Sequence, residues 1–515
     1  MSENKRSVWG TNFGFLMATV GSAVGLGNIW RFSYMAYENG GGAFLVPYIV
    51  ALLVAGIPLM ILEYALGHKE KGAPPLAFAR HHKGWEWVGW WMPTVATVGI
   101  ILFYSVIIGW SLNYFCYSFT LKWGSDSQAF FFNEFLKISD SPLNFSVINL
   151  NILASTAIVW FILWFICYKE INHGIEKACM IFMPLLFVMT AVLVFWTITL
   201  DGAGEGIRHY LTPQWDKINI IKHYNDPKVW NVWISAFGQI FFTLSLGFGI
   251  MITYASYLPK KVDIVGNALL TSFLNCAYSI FAGFAVFGVL GFMAHTKGVG
   301  IEEVAKSGPS LAFVVYPEAI SQLPFANKIF GALFFFTLVI AGFSSGISLI
   351  EAFTCSICDK FSFNRKKVVS IICICGFLFS LIFTTGAGLL ILDIIDHFVC
   401  NYALVLGGTL ECIFVGWVIG ASLIRKYVNG FDERKLIGFW EICIKFITPL
   451  LLIVMLVKAA IADFTKPYEG YPIAALLLYG VGIFLITIIL AIYLSIHKWD
   501  KEKLEHKPED EHILT

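Results

Sequence analysis

Charge is scarce in this sequence. Of its 515 residues only 13% are Asp, Glu, Lys or Arg, against about 25% in a typical water-soluble chain. So little charge cannot cover the surface of a soluble protein, whether folded as one domain or as three. Net charge is lacking as well. Thirty-five Lys and Arg meet thirty-four Asp and Glu for a formal +1, which removes any electrostatic case for a nucleic-acid partner. Proline is sparse at 17, and no Ser-, Gln- or Lys-rich tract is long enough to suggest disorder. None of the eleven cysteines falls in the two long polar segments 119–148 and 201–229, so a loop disulfide framework is not indicated. Cys355-x-x-Cys358 and Cys373-x-Cys375 have no histidine or second pair beside them, and read as buried thiols rather than metal ligands. There is no His-Glu-x-x-His. Most histidines fall in loops, helix ends or termini, which leaves little for a membrane enzyme to use at one depth.

What the chain has in excess is apolar length. It is 58% hydrophobic, with a mean hydropathy of +0.74. A membrane span needs roughly 20 mostly apolar residues, and twelve such stretches follow one another: about 12–36, 41–66, 88–118, 149–168, 178–200, 230–257, 265–295, 328–356, 368–384, 388–424, 438–462 and 471–497. Several exceed a minimal span, which implies tilt or helix beyond the lipid. The charged start Met1–Arg6 precedes an apolar stretch too long for a cleavable signal. With the N-terminus inside, cytoplasmic segments carry 22 Lys and Arg and external ones 10. By the positive-inside rule both termini are then cytoplasmic.

Two of the stretches break helix rules. The first reads Val20-Gly-Ser-Ala-Val-Gly-Leu-Gly-Asn28. Glycine costs a helix interior about 1 kcal/mol against alanine, and in lipid each freed backbone group must find a partner. Close helix packing through Gly21 and Gly25 is the plain explanation, but it leaves Asn28 and Arg31 unexplained. The sixth stretch repeats the theme with Gln239, Thr243 and Ser245, then Gly247 and Gly249. Two interrupted helices five spans apart suggest two five-helix repeats of opposite orientation. Such repeats mark secondary transporters, with substrate and ion sites at the breaks. The chain divides accordingly: 1–200 holds the N-terminal tail and first repeat, 201–424 the second, and 425–515 two further helices and a C-terminal tail.

The segments Gly25-Leu-Gly-Asn-Ile-Trp-Arg-Phe32, Glu38-Asn-Gly-Gly-Gly-Ala-Phe44 and Gly238-Gln-Ile-Phe-Phe-Thr-Leu-Ser-Leu-Gly-Phe-Gly249 resemble the neurotransmitter:sodium symporter family, whose best-known bacterial member is the leucine transporter. The resemblance runs from Arg6 to about Glu411, and covers the last two helices only in general character. It implies an all-α polytopic membrane protein with 12 transmembrane helices: two inverted five-helix repeats plus two C-terminal helices. The short loop between the third and fourth helices looks bacterial, which implies the inner membrane of the cell.

The same resemblance implies the site residues. A first sodium ion would meet Asn28, Thr243, Asn275, the Ala23 carbonyl and the substrate carboxylate. A second would meet carbonyls of Gly21, Val24 and Ala341 with the hydroxyls of Ser344 and Ser345. These are hard oxygen donors, suited to a small hard cation; taken singly, each Ser, Thr or Asn is as readily a helix–helix hydrogen bond. The substrate cradle would comprise Ser22, Ala23, Gly27, Tyr104, Phe242, Thr243, Ser245, Phe248 and Ser345, with Leu26, Ile100 and Leu349 shaping its side-chain end. Ser22 stands where the leucine transporter has asparagine. Monoamine carriers of the family place an aspartate at the position of Gly25, so this chain fits a substrate that brings its own carboxylate: a neutral, small-to-medium aliphatic α-amino acid. An aromatic or non-α amino acid, or a sensor that binds without transport, remain the alternatives. Ser279, one turn after Asn275, is the residue of chloride-dependent members, where chloride-independent ones hold a carboxylate. Chloride would lie among Tyr48, Gln239, Thr243, Asn275 and Ser279. Arg31 and Asp396 would form an outer ion-pair gate, and Arg6 and Asp359, with Trp9 beside them, an inner latch. The remaining intramembrane charges, Glu63, Glu351, Glu411 and Lys445, read as structural partners of backbone or hydroxyl groups.

Overall fold

The computed structural model describes residues 7–145, 148–223, 225–305 and 308–505. Its regular structure is helical, apart from one isolated bridge between Gly41 and Pro213. Among the described residues ten helices are long and apolar enough to cross a bilayer: α3 (Gly42–Glu70), α4 (Lys83–Ser118), α5 (Leu150–Cys167), α6 (Ile175–Ile198), α9 (Ile264–Lys297), α10 (Asn327–Phe361), α11 (Arg365–Thr384), α12 (Gly388–Phe431), α13 (Gly438–Gly470) and α14 (Ile473–Ile496). An eleventh span is the bent pair α1 (Asn12–Ala23) and α2 (Leu26–Glu38), which turn by 51° against one another. The stretch expected as the sixth of twelve spans is present but divided into α7 (Pro227–Thr243) and α8 (Ile250–Ala255). Neither piece alone is long enough to cross. The two glycine-interrupted stretches are thus the two that the structure breaks.

Polar caps start many of these helices where they leave the apolar layer. Thr11, Asn149, Asp226, Asp263 and Asn364 each accept a bond from a backbone N–H of the first turn, satisfying donors that have no partner within the helix. The spans then pack in a graded way. α4, α9 and α10 are 78–83% buried over their apolar windows, while α13 and α14 are 28% and 17% buried. The last two helices therefore present most of their side chains to lipid, and α10 lies in the middle, in contact with α1, α4, α6 and α11. The broken pair α1–α2 packs on α6, α9 and α10.

Backbone proximity depends on missing side chains at a few places. A Cβ on Gly67 of α3 would lie 2.0 Å from the Ile252 carbonyl oxygen of α8; only a glycine lets the short half-helix lie against α3. Gly67→Ala should therefore lower stability by about 1–3 kcal/mol, the usual range for overpacking, whereas Gly204→Ala, with open space around it, should leave it unchanged. Thermal unfolding of the detergent-purified protein, followed by size-exclusion chromatography, tests the pair.

Candidate functional site

At the first break, α1 ends at Ala23, Val24 turns to an extended conformation, and α2 begins at Leu26. Gly25 between them has φ −133°, an angle any residue adopts, so what its glycine gives is room for the side chains beside it. A Cβ there would lie 2.8 Å from Ser345 Oγ and 3.1 Å from Tyr104 Oη. Its N–H is taken by Asn28 Oδ1 at 2.8 Å, which caps the new helix from within. The second break uses backbone conformation instead. Ser245, Gly247 and Gly249 all have positive φ, at 54°, 76° and 73°. A serine in the left-handed region is strained, and its hydroxyl donates to the Ser22 carbonyl at 3.1 Å, tying one break to the other. The freed N–H of Gly247 is met by Glu63 Oε1 at 2.8 Å.

Two polar clusters form around these breaks. In the first, Asn28 Nδ2 reaches Thr243 Oγ1 at 2.9 Å, Asn275 Oδ1 at 2.8 Å and Ser279 Oγ at 2.8 Å. Thr243 and Asn275 also bond each other. All four side chains are buried. In the second, Ser345 Oγ lies 3.4 Å from both the Gly21 and Val24 carbonyls, and Ser344 Oγ lies 3.5 Å from Val24 O and 2.9 Å from Ala341 O. Apart from the Ala23 carbonyl, the residues that the resemblance assigns to two sodium sites are thus brought together in two separate places. Each is rich in uncharged oxygen donors, the chemistry of a hard cation.

The expected substrate residues surround the same breaks. Tyr104 Oη accepts from the Leu26 N–H at 3.5 Å. The Phe242 ring lies 3.1 Å from where a Cβ on Gly27 would be, with the Arg31 guanidinium 4.4 Å above the ring centroid. Ser22, Ala23, Leu26, Ile100, Phe248 and Leu349 are buried. Ser22 Oγ donates to Ser348 Oγ at 2.8 Å, and Thr97 Oγ1 holds the Leu349 carbonyl at 2.9 Å. Neither Ser348 nor Thr97 stood out in the sequence. Beside this region, Tyr48 Oη and both polar atoms of Gln239 are buried without a hydrogen bond among the described residues. Ser279 and Cys276 are the side chains next to the Tyr48 hydroxyl.

The gates depart in part from expectation. Arg31 and Asp396 are not within ion-pair distance. Cys400 stands between them, its Sγ 3.3 Å from Asp396 Oδ1 and beside Arg31. The thiol sits one turn after Asp396, and a wide helical turn over Val399–Ala403 rotates it into the gap. On the opposite side, Arg6 lies outside the described residues. Trp9 donates from Nε1 to the Tyr254 carbonyl at 2.8 Å, and Asp359 Oδ2 accepts from the Ala73 N–H at 2.8 Å. A carboxylate that sequence reasoning missed, Glu176 of α6, holds the N–H groups of Gly10 and Thr11 and the Thr11 hydroxyl. Its only sequence signal was position: an acid beside Lys177 in the first turn of a helix that is largely apolar beyond them.

The other intramembrane charges fare unevenly. Glu351 forms a two-point pair with Arg365 at 2.8 and 2.6 Å and accepts from the Tyr257 hydroxyl. Glu63 caps Gly247, and Lys445 lies 3.8 Å from Glu441. Glu411, expected to hold backbone or hydroxyl groups, has neither carboxyl oxygen hydrogen-bonded among the described residues. The sequence Gly342-Phe-Ser344-Ser-Gly346 matches the spacing of a serine-hydrolase elbow. It runs through the middle of α10 with its hydroxyls on the α1 carbonyls, not at the strand-to-helix turn that such a nucleophile needs.

Comparison with known proteins decides the family. The model of the "Sodium:neurotransmitter symporter family" matches residues 6–128 and 121–502, which takes in both breaks and both clusters. The chain belongs to that family. It is a sodium-dependent symporter and a multi-pass membrane protein. It is 45% identical over 97% of its length to the whole of an uncharacterized sodium-dependent transporter of Methanocaldococcus jannaschii. A sodium- and chloride-dependent glycine transporter of Xenopus laevis is 32% identical, over 89% of this chain and 78% of its own. A sodium-dependent serotonin transporter of Drosophila melanogaster is 30% identical, over 89% of this chain and 77% of its own.

Within this symporter the Ser344–Ser345 cluster gives a direct test. If this cluster holds sodium, deleting one hydroxyl removes about 1–1.5 kcal/mol of interaction, and Ser344→Ala and Ser345→Ala should each raise the sodium concentration needed for half-maximal thermal stabilisation about tenfold. The measurement is a sodium titration of the melting temperature against choline.

Proposed function

We propose that the protein imports a neutral, small-to-medium aliphatic α-amino acid together with two sodium ions and with the help of chloride, by alternating access between two gates. The observation that carries this reading is the space at Gly25. Gly25 brings no side chain, and Ser345 Oγ and Tyr104 Oη lie where its Cβ would be, so this position offers no carboxylate to meet a substrate amine. The carboxylate at this site is then the substrate's own, with the α2 N-terminus and Tyr104 Oη beside it. A helix N-terminus favours such an anion. Leu26, Ile100, Phe248 and Leu349 give an apolar end suited to an aliphatic side chain.

The first sodium ion is assigned to the Asn28–Thr243–Asn275 cluster with the Ala23 carbonyl, and the second to Gly21, Val24, Ala341, Ser344 and Ser345. Two sodium ions and a zwitterion leave an excess of positive charge, costly at this depth. Ser279 supplies no compensating charge. The unbonded Tyr48 hydroxyl and Gln239 amide supply donors that suit a small anion, which supports chloride at this place. Outside, Arg31, Asp396 and Cys400 would close over Phe242; inside, Trp9 and Asp359 would close beneath the break, both chain termini lying on that face.

The driving forces suffice. One charge crossing about 100 mV gains roughly 2.3 kcal/mol, and a tenfold gradient adds about 1.4 kcal/mol per ion. Two sodium ions supply up to roughly 7 kcal/mol, and an accompanying chloride opposes about 2.3 of it. Uphill accumulation of a neutral amino acid remains favourable either way.

Uptake of radiolabelled neutral amino acids into proteoliposomes under a sodium gradient, with external chloride or gluconate, tests the reading. Sodium-driven uptake should fall at least about tenfold without chloride, as expected when about 1.4 kcal/mol or more of binding is lost, and Ser279→Glu should restore it in gluconate. Uptake indifferent to chloride would remove the anion site but keep the carrier. Sodium-dependent binding without accumulation of any amino acid would favour the sensor.

A further inference from the structure

Asp396 sits on a stretch of α12 that is held from behind. Val399–Ala403 is a wide, π-type turn, a local form that recurs at functional sites. His397 just before it and Tyr402 within it both bond to one carboxylate of α13. His397 Nε2 lies 2.8 Å from Asp463 Oδ2, and the Tyr402 hydroxyl donates to the same oxygen at 2.6 Å. One turn before Asp396, Asp393 accepts from the Tyr468 and Tyr471 hydroxyls at 3.2 and 3.0 Å. Asp396 and Cys400, four residues apart, therefore stand on a fixed wall.

Arg31 comes from α2 and is the member of the set with a long, jointed side chain. Its guanidinium lies 4.4 Å from the Phe242 ring centroid and does not reach Asp396. The Cys400 sulfur occupies the place between them, 3.3 Å from Asp396 Oδ1 and beside Arg31. A thiol has one weakly donating hydrogen and a weakly accepting sulfur. Its hydrogen can go to Asp396 while its lone pairs face the guanidinium. Neither contact approaches a direct two-point bond between guanidinium and carboxylate. Arg31, Asp396 and Cys400 are all half-buried, so salt screens that difference only in part. The sulfur thus stands in the way of the strongest contact open to this site, and leaves the cation on the ring.

We propose that Cys400 is a positioning residue, a spacer that holds Arg31 over Phe242 and off Asp396, so that this side of the cradle is closed by a cation-capped ring instead of an ion pair. A cation on a half-exposed ring is weakly held, and the closure reopens with little loss. The proposal rests on the alternating-access reading above, in which Arg31 and Asp396 belong to the outer gate and Asp359 to the inner one. With the sulfur gone, Arg31 reaches Asp396, the outer side shuts more firmly, and the inner side opens more often.

Cys355, one turn before Asp359, reports the inner opening. It is 4% exposed and its Sγ lies 3.7 Å from Asp359 Oδ2. The measurement is the initial rate of its alkylation by N-ethylmaleimide in the full-length protein in nanodiscs, read peptide by peptide by mass spectrometry. That rate should quicken about fivefold in Cys400→Ala, the factor that about 1 kcal/mol of firmer outer closure gives. Cys400→Ser keeps a donor and an acceptor in the gap and should stay near the parent rate. Added to Asp396→Asn, Cys400→Ala should change nothing, because no carboxylate is left for Arg31 to reach; a packing defect at Cys400 would act in both backgrounds. Cys276 at the centre of α9, also 4% exposed, is the reference, since general loosening would raise both rates. An unchanged or slower Cys355 rate in Cys400→Ala, a rise that persists with Asp396→Asn, or a parallel rise at Cys276 would overturn the spacer. Repeating the measurement in sodium and in choline separates the two readings. A parent rate that differs between the salts, with no effect of Cys400→Ala, overturns the spacer alone. A rate indifferent to both removes the alternating-access reading and the spacer with it.

Discussion

A helix broken inside a bilayer leaves N–H and C=O groups with no water to bind, and each such group costs several kcal/mol unless it finds a partner. The centre of this protein is organised around that constraint. Glu63 is there for the Gly247 N–H, Asn28 for the Gly25 N–H, and Ser344 and Ser345 for the carbonyls at the end of α1. Because the partners come from α3, α2 and α10, satisfying the breaks also fixes how these helices sit. Oxygen-rich clusters are then a by-product of repairing two helices. A cation can take over the acceptors, which is why broken helices and ion sites coincide in transporters.

The contacts on the two sides of the helix breaks differ in kind. On the Arg31 side few groups are involved: the Phe242 ring, the Arg31 guanidinium over it and the Cys400 thiol between Arg31 and Asp396. On the other, Trp9, Asp359, Glu176 and the Glu351–Arg365 pair bind backbone and side chains of several helices. Many directional bonds in a low-dielectric setting reinforce one another, while a ring and a single cation are held by less directional contacts. The graded burial of the helices fits this division, since α10 carries contacts at both levels and α13 and α14 face lipid.

Much of this was legible in the residues. Apolar length gave the membrane class and most helix boundaries to within a few residues, with larger misses at the ends of α12 and α13, because a span is a one-dimensional property. The glycines at 25, 247 and 249 located both breaks, for a reason internal to the chain: a residue without Cβ permits left-handed backbone or close approach, and its neighbours cannot supply that. Asn28, Thr243, Asn275, Ser344 and Ser345 were legible as a set only through resemblance to a family, since each alone is an ordinary buried polar residue.

What the sequence could not say is which of these polar groups face one another. That Cys400 separates Arg31 from Asp396, that Glu176 holds Gly10 and Thr11 across 165 and more residues, and that Lys503 reaches the end of α10 depend on packing among distant helices, which no local pattern encodes. The sequence by itself determined the class of protein, the spans and the places where helices fail, because those follow from hydropathy and backbone freedom along the chain. Only the tertiary structure decided the partners, because hydrogen bonds and ion pairs act over about 3–4 Å and only the folded chain brings groups from different helices that close.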